Sequence, residues 1–269
     1  MRALDFKYDG EYLSSYGCMI CTFDSNNMTT YTLGSQLEFV TSPINNGKKH
    51  IRTGAKYSEC IEMDLQICKD PDENLDEDIY FTIDEQRSII RWLNRSEFCE
   101  LQLVDEDMEN ATFYGSFNVQ KIELGGKIIG LELHFVSDKP FATRPPIKSN
   151  WNVTSSERTF LISDVSDEIG SQYIDMTIIL DRAGDLTIHN TLDNEDVVIK
   201  NCLRGEKITF SKEQIIETDS EIHKKTIMND FNYAFPKVIN TYTERRNIYS
   251  FSIPCQVTAQ YIPTRKVGF

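Results

Sequence analysis

The chain has 269 residues, 40% of them hydrophobic and 11% aromatic, enough to bury one large core or two ordinary ones. Its 28 Lys+Arg against 42 Asp+Glu give a net charge of −14, which excludes tight nonspecific binding to nucleic-acid phosphates, because that requires a surplus of cations. Residues 1–142 hold 13 Lys+Arg and 25 Asp+Glu whereas 143–269 hold 15 and 17, so the acidity belongs to the first half.

The opening MRALDFKYDGEY alternates charged with apolar residues and builds no apolar signal core. Nowhere does the sequence reach the roughly 18 uninterrupted apolar residues of a membrane span. The expectation is an unprocessed chain with no membrane span. Cys18, Cys21, Cys60, Cys68, Cys99, Cys202 and Cys255 are odd in number and scattered, mostly within apolar or alternating runs, which points to free thiols in a reducing compartment. The sequons at Asn27, Asn94, Asn110 and Asn152 then carry no glycan.

SSYGCMICTF, bounded by Gly17 and the turn-forming DSNN at 24–27, reads as a strand. Side chains three apart on a strand face opposite ways, so Cys18 and Cys21 cannot share a metal there, and Cys60 and Cys68 supply no matching second pair. DPDENLDEDIYF places Asp70, Asp72, Asn74, Asp76 and Asp78 at alternate positions, as in a calcium loop. Leu75 stands where such a loop needs Gly and Phe81 where it needs a bidentate Glu, so the stretch reads as a solvated acidic loop. In TIDEQRSIIRWLNRSEF, Thr82 and Glu85 have capping-box spacing and Ile89, Trp92 and Leu93 share one face; a helix is expected over about 83–95, with Trp92 and Leu93 packing it on its own sheet.

Period-2 alternation then recurs at 111–124, 127–137, 173–181, 185–192 and 206–211, with turn signals at 125 and 183. A last long strand is expected where Tyr249, Phe251, Ile253, Cys255, Val257, Ala259 and Tyr261 share one parity. The chain is therefore mainly β. Pro140, Pro145 and Pro146 interrupt strand pairing where the charge balance changes, placing a junction near residue 145 and domains at 1–142 and 143–269.

Chemistry is sparsely signalled. His50, His134, His189 and His223 lie in unrelated settings, with His134 and His189 inside strand runs, and neither a nucleophile elbow nor a Gly-rich phosphate loop occurs. Paired carboxylates among 42 acids carry no positional information. No catalytic, cofactor-binding or metal residue is assigned.

The landmarks in order are ALDFKYDGEYLSSYGCMICTFD, a helix ending in a WL pair, FVSDKPFATRP, IKNCLRGEKITFSKEQIIE and NDFNYAFPKVINTYTERRNIYSFSIPCQVTAQY, with Phe235, Pro236, Val238, Asn247, Ile248 and Phe251 in the closing strands. Together they resemble the distal tail protein (Dit) family of long-tailed, siphophage-type phages. The resemblance implies an N-terminal β-sandwich with a single α-helix and a protruding hairpin, which assembles into a six-fold ring, and a peripheral C-terminal galectin-like β-sandwich. It also implies a structural role without catalysis or cofactor: a virion hub, made in the host cytoplasm, whose partners are copies of itself, the tail tube protein, a tail-associated tip protein and a receptor-binding protein. DNA would pass through its channel without specific binding. An acidic first half suits such a channel, since a lumen of negative charge repels the phosphate backbone.

Two rival readings are a stand-alone lectin-like carbohydrate-binding module and, more remotely, a carbohydrate-active enzyme. Galectins that bind sugar use a His, Asn and Arg set with a stacking Trp. Here His189 and Asn190 are adjacent and so face opposite ways, while Trp92 and Trp151 lie in the helix and just past the junction. No galectin-type sugar site is expected.

Overall fold

The computed structural model describes residues 4–23, 37–44, 47–57, 60–72 and 79–267. The Asn27 sequon, the DSNN turn and positions 73–78 of the acidic stretch lie outside them. Pro145–Thr264 form one compact unit, and the described residues before it, with Arg265–Val267, form another.

The first unit carries β1 (Asp5–Tyr8), β2 (Glu11–Tyr12), β3 (Cys18–Cys21), β4 (Leu37–Ile44), β5 (Lys49–Tyr57), β6 (Glu62–Lys69), α1 (Ile83–Leu93), β7 (Cys99–Val104), β8 (Phe113–Leu124), β9 (Lys127–Ser137) and β10 (Ala142–Thr143). Seven strands form one sheet in the order β2-β1-β7-β8-β9-β6-β3. Alternation drives it: Met63, Leu65 and Ile67 of β6, Leu131, Leu133 and Phe135 of β9, and Phe113 and Phe117 of β8 all turn to one buried face. Gly115 sits between the two β8 phenylalanines because a Cβ there would collide with the Phe135 ring and the Val136 carbonyl. Gly125 and Gly126, with φ of 60° and 81°, close the β8–β9 hairpin. The sheet curls on itself: the Ile20 N–H of edge strand β3 donates to the carbonyl of Leu4, just before β1, at 2.9 Å.

The helix is the one expected, with a reciprocal Thr82–Glu85 capping box. It ends at Leu93 instead of residue 95, where the Asn94 side chain turns to donate to the Phe117 carbonyl at 2.9 Å. Ile89, Trp92 and Leu93 are buried against the sheet. Trp92 lies between two rings, Phe6 at 5.6 Å and Tyr16 at 4.4 Å, both nearly parallel to it, and its Nε1–H donates to the Tyr8 carbonyl at 3.0 Å.

The second unit is a two-layer β-sandwich built from β11 (Ile147–Val153), β12 (Thr159–Ser163), β13 (Gly170–Tyr173), β14 (Asp175–Leu180), β15 (Gly184–Asn190), β16 (Val197–Cys202), β17 (Lys207–Phe210), β18 (Ile216–Thr218), a four-residue α2 (Ile227–Asp230), β19 (Lys237–Asn240), β20 (Arg246–Phe251) and β21 (Cys255–Tyr261). One sheet runs β11-β21-β14-β17-β18, the other β12-β20-β15-β16, and β13 pairs with β19 as a ribbon. Trp151 of the first sheet stacks on Phe160 of the second at 5.3 Å, and Ile178, Leu180, Leu186, Ile199, Tyr249 and Phe251 fill the space between.

The single long strand expected over 249–261 is corrected to two. Pro254 offers no N–H to a ladder, so pairing stops at Ser252–Pro254 and the chain crosses from the second sheet to the first. Parity survives the break, with Tyr249, Phe251, Cys255, Val257, Ala259 and Tyr261 all buried. The short α2 was also not anticipated; four residues give too little periodicity to read.

Replacing Trp92 by Ala removes two stacked partners and the donor to Tyr8. The expected loss is about 3–5 kcal/mol in urea denaturation. A loss of about 0.5 kcal/mol or less, typical of surface positions, would take Trp92 out of the core.

Candidate functional surfaces and a buried polar cluster

The strand reading of GCMIC agrees with the structure: Cys18 is buried on the core side of β3, while Cys21 is half-buried on the other. Register explains what Cys21 meets. Met19 pairs with Cys68 and Cys21 with Gln66, so Cys21 and Cys68 are diagonal neighbours on one face. The Cys21 thiol donates a hydrogen bond to the Cys68 sulfur, which lowers Cys68 to about 7 against the opposing effect of burial and raises Cys21. Burial pushes Cys18, Cys202 and Cys255 up to about 12. All seven thiols are free.

The acidic stretch is described at its two ends. There the Asp72 N–H donates to Asp70 Oδ1 at 2.9 Å, a local turn contact. The histidines stay apart. His134 of β9 faces Asp64 at 2.7 Å and Glu62 at 3.7 Å, His189 faces Asp196 at 2.7 Å, and His50 lies on the exposed hairpin β4–β5. His189 is exposed and Asn190 buried, with the Asn190 side chain donating to Lys237 O and Asn247 Oδ1, so the pair does not converge on a ligand.

The outer face of the five-stranded sheet holds a shallow groove of about 450 Å³, lined by Asn150, Asn152, Thr177, Ile179, Gln256 and Thr258 among others. Its polarity suits hydrogen bonding, yet Asn150 and Thr258 already bond each other at 2.8 Å. The Trp151 ring is committed to Phe160, so it offers no platform for stacking a sugar.

The hairpin β4–β5 is exposed along nearly its whole length. Its register runs from Leu37↔Tyr57 to Ile44↔Lys49 with a bulge at Val40, and among the described residues the two strands pair only with each other. Leu37, Phe39, Val40, Ile44 and Ile51 are 37–56% exposed along it. Arg52 covers one side of the Phe39 ring at 4.5 Å and Lys56 meets Glu38 at 3.0 Å. Tyr57 anchors the base against Phe141, ring centroids 4.5 Å apart. Exposed on both faces, LEFVTSPI and KHIRTGAKY carry no burial alternation, and the residue pattern alone did not yield this hairpin.

Sequence reasoning also passed over Cys202, Glu206 and His223, which fold brings together in the second unit. Glu206 is held by three donors: His223 Nδ1 at 2.6 Å and Thr218 Oγ1 at 2.5 Å on Oε1, and the Leu203 N–H at 2.7 Å on Oε2. The spacing C-x3-E-x16-H matches no pattern that a reader of sequence would search for. No helix among the described residues is long and apolar enough to cross a membrane.

Iodoacetamide labelling followed by peptide mapping should find Cys68 reacting with a rate that climbs through about pH 7, while Cys18, Cys202 and Cys255 stay unlabelled at about pH 8. Equal labelling of Cys18 and Cys68 would contradict the thiol pairing.

Two family models match the chain, the phage tail protein N-terminal domain over residues 1–139 and the phage tail C-terminal domain over 141–261. Among solved structures, the crystal structure of SPP1 Dit (gp 19.1), titled a paradigm of the hub adsorption apparatus in Gram-positive infecting phages, is similar with a TM-score of 0.65 at 11% identity, over 97% of this chain and 99% of that one. At that identity the likeness establishes the fold, and it is the fold of a Dit protein. No curated protein sequence matches. With both of its halves accounted for by paired domain models, the chain belongs to the phage tail protein family.

Proposed function

We propose that this phage tail protein is a structural, non-catalytic subunit of a ring-shaped hub at the distal end of the tail, joining the tail tube to the tip or baseplate. The observation that carries the reading is the hairpin β4–β5. An isolated two-stranded hairpin is marginal in water, and this one exposes five large apolar side chains on an otherwise acidic half of the chain. Such a surface calls for a protein neighbour. A closed ring supplies one, because head-to-tail contacts place an arm of each subunit against a different surface of the next.

Residues 1–142 are assigned to the ring and 143–269 to a galectin-like domain at its periphery. Six copies is the number implied by the likeness to the distal tail proteins. The tail tube and a tip protein would occupy the two faces, a receptor-binding protein the rim, and the virion tail is where the assembly resides. The excess of 25 Asp+Glu over 13 Lys+Arg in residues 1–142 supports a lumen that repels passing DNA; an assembled ring with a basic channel wall would overturn that part.

Light scattering across protein concentration, followed by negative-stain imaging, tests the hub. The expected mass is six times 31.1 kDa with ring-shaped particles. The double substitution Phe39→Asp, Ile51→Asp should lower that mass while leaving the subunit's thermal unfolding within about 0.5 kcal/mol of the parent, since both side chains are exposed. A mass of 31.1 kDa at every concentration, with and without tail tube protein, would overturn the reading.

A further inference from the structure

We propose that Cys202, Glu206 and His223 form a structural binding site for a zinc-class cation inside the second unit. Cys202 ends β16, Glu206 lies in the turn before β17, and His223 opens a single 3-10 turn, His223–Lys225. All three side chains are at least 97% buried. One donor atom from each lies within 4.8 Å of the other two. Among the described residues, no other group of three such side chains converges in this way.

The chemistry of the set selects the ion. A thiol, an imidazole and one carboxylate make a poor site for calcium or magnesium, which take oxygen ligands, and a good one for zinc, which takes sulfur, nitrogen and oxygen in tetrahedral geometry. Bonds of about 2.0–2.3 Å place tetrahedral ligand atoms about 3.3–3.8 Å apart. The donor atoms, now within 4.8 Å of one another, would move to that spacing around an ion. His223 Nδ1 and Glu206 Oε1, now 2.6 Å apart, would separate as the proton between them is replaced by the cation.

A second observation points the same way. His223 Nε2 is buried and has no hydrogen-bond partner, and the nearest carboxylate oxygen, Oδ2 of Asp230, stands 3.6 Å away. That distance is too long for a hydrogen bond, so Nε2 stays unsatisfied while Nδ1 faces Glu206. Nδ1 faces Glu206 and Nε2 faces Asp230, so the ring can ligate through Nδ1 while the Asp230 carboxylate orients it from the Nε2 side, the usual arrangement around a metal-bound histidine. Asp230 is itself positioned by Asn201 Nδ2 at 2.8 Å. An ion here would tie the β16–β17 turn to the segment carrying α2, two pieces of chain otherwise joined through side-chain hydrogen bonds.

The test uses the full chain purified in chelator and then titrated with Co²⁺, which reports a thiolate ligand through its near-ultraviolet charge-transfer band. The expected result is saturation at one Co²⁺ per chain with that band present, displacement by Zn²⁺, and a thermal midpoint several degrees higher with Zn²⁺ than in chelator. Cys202→Ser should remove the band. His223→Gln should weaken binding by at least the roughly tenfold that even an outer-shell partner is worth. Absence of saturable uptake by the unsubstituted chain overturns the proposal without relying on any variant and leaves Glu206–His223 as a buried hydrogen bond alone. A thiolate band that persists in Cys202→Ser overturns it as well, by placing the ion on another cysteine.

Discussion

The first unit depends on one aromatic sandwich. Phe6 belongs to β1, toward one end of the sheet, and Tyr16 to the turn that leads into β3, the strand at the other end. Trp92 packs against both rings and hydrogen-bonds the Tyr8 backbone, so a single side chain on α1 holds the two ends of a curled sheet together. Its placement is secured from either end of the helix. The capping box fixes the start, where Lys69 of β6 meets Glu85 at 2.7 Å, and Asn94 fixes the finish on β8. Burial works against the ionised Glu85, but the Lys69 ammonium and the Thr82 donors outweigh it and hold the carboxyl below its ordinary value. Because that pKa is depressed on folding, its contribution to stability is present at neutral pH and fades as pH falls below 4.5 toward the folded value.

The same closure determines where the exposed hairpin emerges. β4 and β5 are inserted between β3 and β6, and those two strands are zipped together from Cys18↔Lys69 to Cys21↔Gln66. Tyr57 at the end of β5 packs on Phe141, which anchors the hairpin at its base, while the hairpin itself takes no part in the sheet of β3 and β6. A long arm on a fixed base loses less conformational freedom on docking than an arm on a flexible one. Rigidity in the core thus favours association at the arm.

Much of this was legible in the residues, and the exceptions have physical causes. Strands with one wet face announce themselves, as β8, β9 and β14 do, because alternation records burial directly. The capping box named the start of α1 to the residue, whereas its end was two residues early, since the Asn94 contact with Phe117 is tertiary and leaves no local mark. At 249–261 the alternation was correct and the strand count was not: parity is indifferent to which sheet a residue faces into, and Pro254 was the overlooked signal. The hairpin defeated pattern reading because both of its faces are exposed, so no burial period is imposed on it. The polar cluster was invisible for the opposite reason. Cys202, Glu206 and His223 are separated by intervals that only the fold brings to one point.

Fold likeness and function part company in the second unit. The galectin-like sandwich expected here would invite a sugar, but Asn150 and Thr258 of the groove bond each other, Trp151 is stacked on Phe160 and His189 and Asn190 point apart. What the unit does hold in its interior is polar and highly connected. Asn190, Asn240 and Asn247 are buried; Asn190 and Asn247 bridge the four-stranded sheet to β19 of the ribbon, and Asn240 ties β19 to the Ser166 and Glu168 carbonyls. Leaving any one of these donors unpaired costs about 1–3 kcal/mol, so the network admits one arrangement of the strands and penalises the alternatives. A domain specified in this way behaves as a fixed body. Fixed geometry, more than ligand capacity, is what the proposed ring would require of its subunits, because an angular error in one would be multiplied around the closure.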